Sequence, residues 1–136
     1  MPKEDVSFPY FHYKDLVKEE WDTSTLRYFL ERRYFLVIYQ EDSKNSIRLK
    51  KVMFWTMPYK DLETDAKLEW EETIDRIKNG KADALPKKSE TRIIHVRPHA
   101  RDASDTDETP DGKKIVKKSF WLNASYLKEQ IISMGE

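Results

Sequence analysis

At 136 residues, with 25 basic and 25 acidic side chains, the chain fits one domain with a real core and has no overall electrostatic pull toward a polyanion. Apolar residues make up 38% and charged residues 37%, and four Trp, seven Tyr and six Phe argue against a disordered chain. The sequence has no cysteine, which excludes a disulfide scaffold, a thiol nucleophile and a thiolate zinc site. No apolar run approaches the roughly 18 residues of a membrane span and no signal-like segment opens the chain, so a soluble, cytoplasmic protein is expected.

In chain order, Val6 to Tyr13 is rich in aromatic and β-branched residues and predicts a strand or extended arm, with Pro9 favouring an edge position. Lys14 to Glu20 predicts a short helical turn. Asp22, Thr23 and Ser24 offer cap oxygens to a helix through TLRYFLERR, whose Leu26, Phe29 and Leu30 share a face. The nearly continuous apolar run Tyr34 to Tyr39 predicts a central strand covered on both faces. The polar EDSKNS turn then leads to an antiparallel partner strand over Ile47 to Thr56. Pro58 opens the longest helix, with Leu62, Ala66, Trp70, Ile74 and Ile77 at helical spacing and Gly80 placed to end it. Asn123 is placed so that it can cap a last helix in which Tyr126, Leu127, Gln130, Ile131 and Met134 share a side. The expected fold class is α/β, a mixed central sheet of about four strands flanked by three or four helices.

The stretch from Thr91 to Asn123 carries the most chemistry. Arg92 to Arg97 predicts a strand that Pro98 ends, delivering Arg97 and His99 to a surface. The turn-rich segment after it, from Asp102 to Gly112, has little to pack and predicts a long exposed loop. Its return brings Lys113, Lys114, Lys117 and Lys118, which with Arg92, Arg97 and Arg101 form the strongest local candidate for contact with nucleic-acid phosphates. Alternation in Phe120-Trp121-Leu122 turns Trp121 to the face opposite its neighbours. His12, His95 and His99 lack the spacing of metal ligands, and no metal site is expected in the chain.

WDTSTLR at 21 to 27, the helix around Leu68-Glu69-Trp70-Glu71-Glu72, HVRPHA at 95 to 100 and KSFWLN at 118 to 123 occur in an order that resembles the MutH family. That family comprises mismatch-repair endonucleases and GATC-cutting restriction endonucleases of the Sau-three-A type. The resemblance implies part of a MutH-like restriction-endonuclease fold that reads duplex GATC, with base contacts from Arg97, Pro98, His99 and Trp121. His99 stands where the family has Lys, and Trp121 where it has Tyr. The carboxylates and lysine of the active members' Mg²⁺ centre have no counterpart here, and a further family lysine falls at Phe29. The substitutes in turn-like settings are the D-x-K triplets Asp42-Ser43-Lys44 and Asp111-Gly112-Lys113.

The resemblance is strongest to the second, non-cutting domain of such enzymes. It implies that residues 1–136 are one DNA-binding domain of a longer enzyme, with double-stranded DNA and the catalytic MutH-like domain as partners and Mg²⁺ serving that catalytic domain. No catalytic residue and no cofactor is expected in this chain. An active Mg²⁺-dependent endonuclease and a protein-interaction module are the competing readings.

Overall fold

A computed structural model describes residues 4–41, 47–98 and 104–134. Its organising unit is a three-stranded antiparallel sheet with β7 (Lys118–Leu122) in the centre, flanked by β1 (Val6–Phe11) and β4 (Ile94–Pro98). Ile94 pairs with Leu122, His95 with Trp121, Val96 with Phe120 and Arg97 with Ser119. Side chains alternate across a strand, so this register sends Ile94, Val96, Phe120 and Leu122 to one face and His95, Arg97, Ser119 and Trp121 to the other. The first set is buried in the core with Phe8. On the opposite edge Ser7 faces Trp121 and Tyr10 faces Ser119, so one extra residue is accommodated between them as a bulge beside Pro9.

Helices cover the core face. The short α1 (Tyr13–Leu16) is followed by a 3₁₀ turn at Trp21–Thr23 and by α2 (Thr25–Leu30). Ser24 caps α2 by accepting from the Arg27 backbone N–H at 3.2 Å. A long helical segment runs from α3 (Tyr59–Asp61) through a π-helical turn at Leu62–Ala66 into α4 (Lys67–Lys78). Its Trp70 packs on Trp21 with ring centroids 5.4 Å apart, joining two of the sequence's most distinctive motifs in one core contact. Gly80, at φ 75°, ends the helix as expected, with Lys81 N–H reaching Arg76 O and Gly80 N–H reaching Ile77 O. Glu69 accepts the backbone N–H groups of Arg92, Ile93 and Ile94 at 2.8, 3.1 and 2.9 Å, which fixes the entry into β4. The last helix, α5 (Ala124–Ser133), follows β7 directly and buries Tyr126, Leu127 and Ile131.

The mixed α/β class agrees with the sequence, but the strands divide differently. Among the described residues β2 (Arg33–Glu41) pairs only with β3 (Ile47–Thr56), so the apolar run expected to form a central strand is half of a two-stranded ribbon. At its base Trp55 and Met57 are buried and Trp55 meets Tyr126 edge-on, while Leu49, Val52 and Phe54 are exposed. The stretch read as a long loop also folds. Its β5 (Thr106–Glu108) and β6 (Lys114–Val116) form a hairpin around a turn closed by Gly112 at φ 84°. Thr109 is buried at this turn and its side chain binds Asp111 and the Lys113 backbone, so polar side chains organise a segment that has little apolar material. No described helix is long and apolar enough to cross a membrane.

Candidate nucleic-acid interface

The sheet face turned away from the core carries two paired cations. Arg97 is two residues along β4 from the partner of Trp121, and this diagonal spacing lets its guanidinium lie 3.5 Å from the centre of the indole ring. On the β1 side Lys117 lies 4.6 Å from the centre of the Tyr10 ring and 3.0 Å from Asp105. Arg97 keeps 44% of its side chain exposed, so its donors remain reachable while its plane is held by stacking. Pro98 is exposed beside it, paired in the ladder with Lys118. A flat guanidinium held over an aromatic face is suited to present two parallel donors to one acceptor pair.

Beneath this surface a buried polar cluster sets the geometry. His95 is 3% exposed, lies roughly parallel to Trp121 at 6.5 Å, and shares a hydrogen bond between Nδ1 and Asn123 Oδ1. Asn123 Nδ2 donates to Thr91 Oγ1 at 3.3 Å, and in that amide orientation the Asn123 oxygen accepts from the His95 Nδ1–H tautomer. Its Nε2 faces Asp5 at 3.9 Å, and the same Asp5 carboxylate lies 3.9 Å from Arg97. Burial would raise the Asp5 carboxyl, but the Ala124 N–H at 2.8 Å and Lys88 at 2.9 Å hold it below its usual value. Burial pushes the His95 imidazole below its usual value, against the opposing pull of Asn123 and Asp5.

The basic residues named from sequence separate into distinct settings. Lys114 is exposed on β6 opposite Glu108, and Lys113 is exposed with Asp111 at 3.6 Å and Gly80 O at 3.4 Å. Lys118 points to the core side of β7, is 7% exposed, and donates to Ala82 O at 2.5 Å. It is a buried structural lysine, because the alternation that turns Trp121 outward turns Lys118 inward. Arg92 is engaged by Asp61 at 3.1 Å, Asp65 at 2.9 Å and Glu129 at 3.3 Å, and its guanidinium covers Tyr126. Three carboxylates around one guanidinium form an intramolecular tie, which leaves Arg92 a poor phosphate contact. His99 and Arg101 lie outside the described residues.

This constellation sits in a chain that has a relative among curated proteins. The chain is similar to the type II restriction enzyme Sau3AI of Staphylococcus aureus. Identity is 29% over 173 residues, covering 95% of this chain and 35% of the enzyme. The chain thus spans about a third of the length of Sau3AI. No family model matches.

Likeness to Sau3AI directs attention to any cutting centre. Among the described residues no three His, Asp or Glu side chains are grouped to hold a metal ion. Asp111 and Lys113 form a staple of the β5–β6 turn, with Thr109 bonded to Asp111, and Asp42-Ser43-Lys44 lies outside the described residues. Phe29 stacks on Phe8 at 5.7 Å and has the Arg32 guanidinium 5.2 Å from its ring centre.

Three residues of this region escape a reading of motifs. Asp5 stands alone in a polar N-terminal stretch and nothing in its neighbourhood marks it. Glu69 and Asn123 belong to stretches that the sequence singles out. Their acceptor roles depend on which strand lies opposite, which spacing along the chain does not reveal.

Proposed function

We propose that this chain is a DNA-reading domain related to Sau3AI, binding duplex DNA at GATC through the outer face of the β1-β7-β4 sheet and not itself cutting it. The observation that carries this reading is the Arg97 guanidinium lying on Trp121 while half exposed. In that posture Arg97 offers two donors to guanine O6 and N7, Trp121 is both its support and an apolar surface beside a base edge, and Pro98 shapes the approach. Lys117, Lys114 and Lys113 lie along the same return of the chain and contact phosphates, setting register without reading sequence. His99 and Arg101 join the base and phosphate contacts respectively. Mg²⁺ and the cutting chemistry belong to a separate catalytic domain, the second partner in this reading.

The experiment is a titration of the chain with GATC, adenine-methylated GATC and scrambled duplexes at two salt concentrations. Tighter binding of GATC, with affinity falling as salt rises, is the expected outcome. Arg97→Ala should remove roughly 1 to 3 kcal/mol of the preference for GATC over the scrambled duplex. Equal binding of all duplexes by the unaltered chain would overturn the reading, and Mg²⁺-dependent nicking of a GATC plasmid would overturn its non-cutting part.

A further inference from the structure

A concave site lies beside β1, α1 and α2, meeting the outer sheet face at Tyr10. Phe8, Tyr10, Phe11, Leu26 and Phe29 line a cleft of about 200 Å³ beside β1, α1 and α2, and Asp15 and Glu19 are its acidic lining residues. The volume has a useful comparison: a closed apolar cavity of about 150 Å³ takes a benzene molecule. This cleft is larger and open at one side, so it accepts a group the size of a long side chain with its polar end at the opening.

The border is chemically specific. Glu19 is held in place by Thr25, whose Oγ1 donates to it at 2.7 Å and whose backbone N–H donates at 3.3 Å. Asp15 is exposed, and among the described residues no hydrogen bond or ion pair engages its carboxylate. Apolar walls with acidic groups at the mouth match a side chain that is itself divided into a hydrocarbon stem and a cationic head. Phe8 and Phe29 stack on each other at 5.7 Å and Arg32 already lies 5.2 Å from the Phe29 ring centre, so the walls offer apolar contact to the stem and the carboxylates supply the attraction for the head. A neutral aromatic group would use the walls and waste the carboxylates, and an acidic group would be repelled by them.

We propose that this cleft binds an arginine side chain of a protein partner, with its methylene stem against Phe8 and Phe29 and its guanidinium at Asp15 and Glu19. Phe8, Asp15, Glu19 and Phe29 lie off the Arg97–Trp121 face, and Tyr10, which also meets Lys117, is the lining residue that the two surfaces share.

The test is a titration of the full chain with Ac-Gly-Arg-Gly-NH₂, its citrulline counterpart and Ac-Gly-Leu-Gly-NH₂, followed through backbone amide resonances. The arginine peptide should shift resonances of β1, α1 and α2, and citrulline should bind roughly tenfold more weakly because it keeps the shape and loses the charge. Asp15→Asn should weaken the arginine peptide by a comparable factor while leaving duplex binding unchanged. Since Asp15 is exposed, this variant is not expected to disturb folding. Equal binding of arginine and citrulline peptides, tighter binding of the leucine peptide, or shifts confined to other acidic surfaces would each overturn the proposal.

Discussion

Arg97 and Lys118 show how little a residue type says before its face is known. Both are cations within one sheet, yet Arg97 lies on an exposed indole and Lys118 donates to a core carbonyl. Substitution should separate them. Lys117→Ala should weaken all duplexes alike and reduce the magnitude of the salt slope by about 0.9 for each phosphate that the lysine had neutralised. Lys118→Met should leave the slope unchanged, and duplex titrations over a range of salt concentrations check both. His95 gives a pH dependence whose sign follows from burial. Its folded pKa is below the usual 6.5, so the unfolded chain takes up the proton first. The stability it contributes is complete above about pH 6.5 and is lost as pH falls through the folded value. Denaturant midpoints should therefore decline on acidification in that window, and His95→Gln should flatten the decline.

At the scale of elements, two junctions decide where the outer face sits. The entry into β4 depends on Glu69, whose carboxylate collects three successive N–H groups although burial pushes its pKa above the usual range. Glu69→Ala should destabilise the chain by about 1 to 3 kcal/mol, since it strands buried donors, and Glu69→Gln should cost less because it keeps an acceptor. Urea unfolding measures the difference. The end of α4 depends on Gly80, where any side chain meets a left-handed backbone and a Cβ would lie 3.3 Å from Asp111 Oδ2. Gly80→Ala should cost roughly 1 to 2 kcal/mol, read from the same unfolding curves. Helical periodicity and the glycine made this helix legible in the sequence, and alternation correctly turned Trp121 away from Phe120. The apolar run at Tyr34 to Tyr39 misled because continuous hydrophobicity signals burial on two faces only when a strand has two neighbours. Here β3 is its single described partner. The β5–β6 hairpin was hidden for the opposite reason, since side-chain hydrogen bonds at Thr109 supply the order that apolar content usually signals.

For the whole molecule, zero net charge is repeated locally, since Arg97, Lys117 and Lys113 each have a carboxylate nearby in Asp5, Asp105 and Asp111. The candidate site was legible as residue types in one stretch, while its supports at Asp5 and Glu69 come from distant parts of the chain. The order of strands has one more consequence. The centre of the main sheet, β7, is the last described strand, and β1, the first, pairs with β7 and with no other described strand. On a ribosome both outer strands would emerge with nothing to bind, and the sheet would close only once residues 118–122 had cleared the exit tunnel. Such late, long-range pairing slows folding and leaves β1 open to foreign chains during synthesis. The proline and the bulge in that strand then act as a guard against mispairing while it waits.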